Sequence, residues 1–229
     1  MFIGHYGIAC IVRKKASDLP LWLLFASVQL LDIIAFSLVL LGVEKASFTP
    51  GHNPFFRNNL DLPYSHSLSG ALIVSVLVFI IFRALDKKKW AWILGLCVLS
   101  HWFIDLIVHT PDLGIFFGNG KVGLGLWHYP ILTYFIEIGL VLAGWLFLKK
   151  NIYAYLLLVL MVGAFTGMVF AQEPPIFREH DVIRTSIVLI VNLLFIFIAC
   201  LWDRKNNQNF TNKASIPRAI NTIPVIPFS

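Results

Sequence analysis

The sequence predicts an all-α membrane protein, a polytopic bundle of about six transmembrane helices with a short N-terminal half-helix. Hydrophobic residues make up 58% of the 229 residues and charged residues only 13%, which is outside the range of ordinary soluble domains. Several apolar runs approach the roughly 20 residues that cross a bilayer. These observations favour a single transmembrane helical domain over residues 1–202, surrounded by membrane lipid, and a disordered cytoplasmic tail over residues 203–229.

The predicted helices follow the apolar runs in order. They cover residues 19–43, 64–85, a stretch that begins near residue 90 and carries the segment 99–112, and residues 127–148, 152–171 and 185–202. Residues 1–12 are apolar but too short to span, so they predict the half-helix. In the fifth helix, Gly163 and Gly167 form a pattern that allows close helix approach.

Short basic clusters separate the apolar runs and predict the orientation of the bundle. They occupy residues 13–15, 83–89, 149–150 and 204–205. Positive loops stay in the cytoplasm, so this alternation predicts two cytoplasmic termini. The predicted outer loops are residues 44–63, 110–126 and 172–184. The net charge of +6 is accounted for in this way and does not suggest nucleic acid as a partner.

The third helix carries the most informative polar pattern. His101, Asp105 and His109 recur every four residues and therefore fall on one side of a helix. Ionisable groups are costly in a membrane and need partners there. A divalent metal is the simplest partner, because imidazole and carboxylate groups both suit ions such as Zn²⁺. The alternative is a hydrogen-bonded stripe that only ties helices together.

Other polar side chains are predicted to lie at a similar depth in the membrane as this stripe. Asp32 and Glu137 lie near the middle of the first and fourth helices, while His66 and His128 lie near the outer ends of the second and fourth. His5 reaches a similar depth if the half-helix rises 1.5 Å per residue from the basic cluster. Each has a structural alternative, such as a buried hydrogen-bonded carboxyl for Glu137. Together they predict a cavity between mid-membrane and the outer face.

Several short motifs resemble a known family. They are Gly4-His5, Leu30-Leu31-Asp32-Ile33, Tyr64-Ser65-His66-Ser67-Leu68, and Leu99-Ser100-His101 with Asp105 and Thr110-Pro111. They are similar to motifs of the LexA-regulated, membrane-bound metal-dependent hydrolases of the bacterial inner membrane. The resemblance covers roughly the first half of the chain, through Gly114.

The resemblance implies a set of metal ligands. The matching positions are His5, Asp32, His66, His101 and Asp105. The family usually has a second acidic residue and a histidine just after the aspartate that matches Asp32. This chain has Ile33-Ile34-Ala35-Phe36 there, which counts against a complete or two-metal site.

These observations predict a multi-pass protein of the bacterial inner membrane that hydrolyses its substrate with a divalent metal, Zn²⁺ by ligand chemistry. A catalytic metal keeps a position for water and lowers the pKa of that water toward ~7. The candidate proton acceptors and donors are His109, Asp112, His128 and Glu137. The depth of the site favours a lipid or lipid-linked phosphoester as substrate.

Two other classes of protein use the same residues differently. In a transporter or proton-coupled protein, the intramembrane histidines and aspartates form a proton relay. In a structural membrane protein, they only hold helices together. Stoichiometric metal distinguishes the hydrolase from both.

Overall fold

The structure is a computed structural model that describes residues 1–48, 53–56, 58–171, 176 and 180–214. Its helices are α1 Gly4–Lys15, α2 Leu21–Val28, α3 Leu30–Leu40, α4 Leu68–Ala84, α5 Lys88–Val108, α6 Pro130–Leu146, α7 Ile152–Phe170 and α8 Asp181–Ala214. Two short antiparallel strands, β1 Lys45–Phe48 and β2 Asn58–Asp61, pair in the connection between α3 and α4. The all-α class is confirmed.

Local sequence signals explain where several helices begin. The side chain of Ser67 accepts a hydrogen bond from the backbone N–H of Gly70 at 3.0 Å and caps α4. Asn151 caps α7 in the same way, through the N–H of Tyr153. Pro130 stands at the first position of α6, where a missing N–H costs no helical hydrogen bond.

Apolar helices dominate the described part of the chain. Three of them, α5, α7 and α8, are long and apolar enough to cross a membrane, and α2 with α3 forms a fourth candidate span bent by 55°. The apolar helices α4 and α6 have 17 residues each. On α4, Leu77, Ile80 and Ile81 are more than half exposed, which a lipid environment explains. The fold is consistent with the predicted membrane protein.

The last helix differs from its prediction. It continues beyond Trp202, and its backbone remains helical to Ala214. The first part of the predicted disordered tail is therefore helical. Residues 215–229 and most of the loop before α8 lie outside the described residues.

The basic clusters gather at one end of the bundle, which we call the basic end. Lys89 Nζ donates a 2.8 Å hydrogen bond to Asp18, and this bond lowers the pKa of Asp18 to about 2. Trp202 Nε1 donates to the carbonyl of Lys149, and the guanidinium of Arg13 lies 5.7 Å from the Trp202 ring centre. This gathering is what the alternating clusters require if they all face one side of a membrane.

The half-helix α1 is buried and packs closely on α6. A Cβ atom on Gly144 would lie 2.3 Å from the carbonyl oxygen of Gly7, and one on Gly7 would lie 2.4 Å from that of Leu140. Glycine is required at both positions, because the two backbones touch. Among the described residues, nothing lies within 4 Å of such an atom on Gly163 or Gly167. The pattern in α7 therefore does not mark a close helix contact there.

A paired substitution in α6 tests this packing. We expect Gly144→Ala to lower the free energy of unfolding by about 1–3 kcal/mol, because the new methyl group overlaps α1. Gly139→Ala, in the same helix, is the control: its position is open, so it should be neutral or stabilising by about 0.5–1 kcal/mol. Denaturant titration of both variants in detergent measures the difference. Equal effects would contradict the close α1–α6 contact.

Candidate metal centre

The predicted stripe forms the base of a buried site at the end of α5. His101 Nε2 lies 3.1 Å from Asp105 Oδ2, and His109 Nε2 lies 3.9 Å from the same oxygen. His109 directly follows the last residue of α5, and its N–H still bonds the Asp105 carbonyl at 2.8 Å. His101 is fully buried and Asp105 is 2% exposed.

Two further side chains meet the stripe from other elements. His66, in the turn before α4, has its Nε2 atom 3.1 Å from Asp32 Oδ1 and 3.9 Å from Asp105 Oδ2. Asp32 on α3 lies 3.7 Å from His101 Nε2 through the same Oδ1 atom. The structure thus brings two carboxylates and two imidazoles from three parts of the chain together.

The half-helix α1 approaches Asp105 from the other side. His5 Nε2 lies 3.2 Å from Asp105 Oδ1, and the His5 ring stacks on His101 with ring centres 3.9 Å apart. The amino nitrogen of Met1 also contacts Asp105 Oδ1. One oxygen of Asp105 is therefore occupied by α1, and the other faces His66, His101 and His109.

The outer nitrogens of two histidines are held by groups that only accept hydrogen bonds. His101 Nδ1 lies 2.6 Å from the carbonyl oxygen of Val28, and His109 Nδ1 lies 3.0 Å from Asp112 Oδ1. A carbonyl or carboxylate oxygen cannot donate, so Nδ1 carries the proton in both rings. In the neutral rings, each Nε2 then directs a lone pair at the site.

His66 is fixed in the same way through a serine. Ser65 Oγ donates its single proton to Glu44 Oε2 at 2.7 Å and lies 3.0 Å from His66 Nδ1. The serine oxygen must therefore accept the Nδ1 proton of His66. Glu44 is buried and also accepts the backbone N–H groups of Tyr64 and Ser65. Such outer partners orient metal-binding histidines.

In neutral rings, these tautomers leave nitrogen lone pairs facing carboxylate oxygens, an arrangement that a bound cation or a proton on each Nε2 atom balances. His101 Nε2 is buried and has no hydrogen-bond partner. The four distances that join the Nε2 atoms of His66 and His101 to Asp32 Oδ1 and Asp105 Oδ2 are 3.1, 3.1, 3.7 and 3.9 Å. Tetrahedral zinc ligands stand about 3.3–3.4 Å apart. The donor set and its spacing fit a divalent ion.

Two overlapping groups of side chains come close enough to hold such an ion. They are His5, His101 and Asp105, and Asp32, His66 and His101. His101 belongs to both but has only Nε2 to give, because Val28 occupies its Nδ1. Asp105 Oδ1 contacts α1, whereas its Oδ2 lies 3.1 Å from His101 Nε2 and 3.9 Å from His66 Nε2, beside the second group.

A break between α2 and α3 supplies one of these outer partners. The helical ladder ends at Val28 and resumes with the bond from Ile33 N–H to the Gln29 carbonyl at 2.9 Å. In a continuous helix the Val28 carbonyl would accept a hydrogen bond from the backbone N–H of Asp32, four residues later. The 55° bend frees it for His101 instead.

A cleft leads to the site from the end opposite the basic end. It contains about 350 Å³ of empty space, part of it open to solvent, and His66, His109 and Asp112 line it. The exposed residues Asp61 and Lys121 also line it, so it carries both signs of charge. The cleft borders the side of the site on which His66 and His109 lie, opposite the face that α1 covers.

The structure places the other two candidate proton groups elsewhere. Glu137 Oε2 accepts the backbone N–H groups of residues 2, 3 and 4 at 2.8, 2.8 and 3.1 Å, so it caps the start of α1. His128 is exposed, and its Nδ1 lies 2.9 Å from the carbonyl oxygen of Gly125. Neither residue lines the described cleft or belongs to the groups that fit a metal.

Comparisons with known protein families, with curated proteins and with solved structures found no match.

Proposed function

We propose that this chain is a metal-dependent hydrolase of the bacterial inner membrane that acts on a lipid or lipid-linked phosphoester. The observation that carries the proposal is the convergence of two buried imidazole rings on the carboxylates of the buried Asp105 and the partly buried Asp32 at the base of a cleft. The motif resemblance in the first half of the chain supports the same class. In this proposal the six spans are the α2–α3 pair and α4 to α8, with the basic end in the cytoplasm.

The ligands in this proposal are Asp32, His66, His101 and Asp105. A divalent ion such as Zn²⁺ supplies Lewis-acid activation of water and of a substrate oxygen when it is bound. Two carboxylates in the ligand set match its double charge. The outer partners of His66 and His101 keep both rings in the tautomer that binds metal.

The proton chemistry falls to His109. Its Nε2 atom faces the site, and its Nδ1 proton is donated to Asp112 at 3.0 Å. When water attacks the phosphorus atom, His109 Nε2 accepts the proton of that water, and Asp112 stabilises the charged ring. The same ring then returns the proton to the oxygen of the leaving group.

The location of the cleft supports an amphiphilic substrate. Leu62 and Leu113 line it together with the charged Asp61, Asp112 and Lys121. A headgroup with a phosphate can therefore meet polar side chains while its apolar part stays near lipid.

The first prediction of this proposed function concerns metal content. We expect His101→Ala and Asp105→Asn to leave a folded, membrane-inserted protein whose metal content falls from stoichiometric to substoichiometric, because each removes one ligand from the site. Elemental analysis of purified protein after loading with Zn²⁺ measures the change.

Matched controls for this experiment lie outside the groups of side chains that fit a metal. His128→Ala and Asp18→Asn make the same chemical changes at exposed positions, so both should retain the metal content of the unchanged chain. Undiminished metal in both site variants would refute the ligand assignment. A wild-type protein that takes up no ion would refute the metal-dependent hydrolase.

The second prediction separates the proton acceptor from the ligands. We expect His109→Gln to lower kcat by about 10²–10⁴-fold, the usual contribution of a general base, without loss of metal. Hydrolysis of bis(p-nitrophenyl) phosphate and of a short-chain phospholipid in mixed micelles measures kcat, with His128→Gln as control. Loss of metal in His109→Gln would instead make His109 a ligand.

A proton relay is the second candidate function. The 3.1 Å distances from His66 to Asp32 and from His101 to Asp105 are also suitable for hydrogen bonds between charged imidazole and carboxylate groups. In a relay, proton flux into proteoliposomes would persist without metal, and His101→Ala would abolish it. Flux that is unchanged by this substitution would exclude the relay.

The third prediction concerns orientation. A single cysteine at Asn119 should react with a membrane-impermeant maleimide from the outer side, and one at Lys88 should react only after the membrane is opened. The basic clusters generate this expectation, because positive residues stay in the cytoplasm. Labelling of both positions from the same side would contradict the six-span arrangement.

A further inference from the structure

The second carboxylate oxygen of Asp32 is held by a buried amide. Asp32 Oδ1 faces His66 and His101, whereas Oδ2 accepts a hydrogen bond from Gln29 Nε2 at 3.2 Å. Gln29 stands in the break between α2 and α3 and is 2% exposed. This hydrogen bond fixes the orientation of the Asp32 carboxylate group.

Gln29 is in turn held by the last helix. Its Nε2 also donates to Asn192 Oδ1 on α8 at 2.8 Å. The hydroxyl of Tyr6 on α1 donates to the same oxygen at 2.6 Å. Asn192 Nδ2 completes the chain of bonds by donating to the carbonyl of Val188 at 3.1 Å.

The two groups at the ends of this series of hydrogen bonds determine which atom donates in each bond. The Asp32 carboxylate and the Val188 carbonyl can only accept hydrogen bonds, so the amide groups that face them must be NH₂ groups. Gln29 therefore donates to Asn192, whose oxygen accepts from both Gln29 and Tyr6. A single arrangement of the two amides satisfies all four bonds.

We infer that Gln29 and Asn192 are positioning residues that hold Asp32 Oδ1 toward the metal. This inference rests on the metal site of the proposed function. It gives α8, which lies beyond the part of the chain that carries the motif resemblance, a role in the site. Partners of this kind typically change metal affinity by about 10–100-fold when they are removed.

Two substitutions test the inference by metal binding alone. Gln29→Met keeps the length of the side chain but removes the donor to Asp32, and Asn192→Leu removes the acceptor that holds Gln29. We expect both to weaken Co²⁺ affinity by about 10–100-fold and to alter the visible absorption of bound Co²⁺. Competition with a chelator and absorption spectroscopy in detergent measure these changes.

Tyr6→Phe is the matched control. It removes a buried hydrogen bond to the same Asn192 oxygen but leaves the Gln29–Asp32 contact in place. We expect its Co²⁺ affinity to stay within about threefold of wild type and its Co²⁺ spectrum to be unchanged, although its thermal stability falls as in the other variants. A purely structural network would instead affect all three variants alike.

The outcomes separate this inference from the proposed function. Wild-type Co²⁺ affinity and spectrum in Gln29→Met, or an equal loss in Tyr6→Phe, overturns the positioning role and leaves the metal site standing. A wild-type protein that binds no Co²⁺ overturns both. If Gln29→Met does not fold, Asn192→Leu decides by the same two measurements.

Discussion

Two carboxylates inside an apolar bundle, the buried Asp105 and the partly buried Asp32, are the constraint on which the rest of this structure depends. An ionised carboxylate removed from water is costly unless it is paired and hydrogen-bonded. Asp105 meets this requirement through His101 and through the start of α1. Asp32 meets it through His66 and Gln29. The start of α1, the break between α2 and α3 and the turn before α4 each bring a polar group to one of these carboxylates.

The break between α2 and α3 supplies two of the polar groups that contact the side chains of the site. It releases the Val28 carbonyl for His101 and places Gln29 beside Asp32. Irregular backbone inside a membrane protein is tolerated where it is buried in protein or lines a cavity. Here the freed Val28 carbonyl accepts a hydrogen bond from His101 Nδ1, a side chain of the site.

The sequence alone predicted the all-α class and the main polar stripe. The apolar runs located the helices, and the spacing of four aligned His101 with Asp105, because helical periodicity is a strong signal. The role of Glu137 as a cap for α1 was not foreseen, since it depends on where a distant helix begins. Asn192 was not predicted to be near the site, because a single polar residue in an apolar helix forms no periodic pattern that would indicate its partners.

Other differences come from contacts that only packing creates. No proline or glycine stands at Gln29, so the usual signals of a helix break are missing there. Glu44 and Ser65 are 21 positions apart, and nothing in either segment predicts that they meet. The glycine pair in α7 matched a known pattern, whereas the close contact is made by Gly7 and Gly144.

Because α1 is buried, it covers one side of the His/Asp site. Tyr6, Ala9 and Cys10 follow His5 toward the basic end and are at most 6% exposed, so this part of α1 lies inside the bundle. The described cleft reaches the centre at His66 and His109, on the side that these α1 residues do not cover. For the proposed hydrolase, this cleft is the entrance that substrate and products would share.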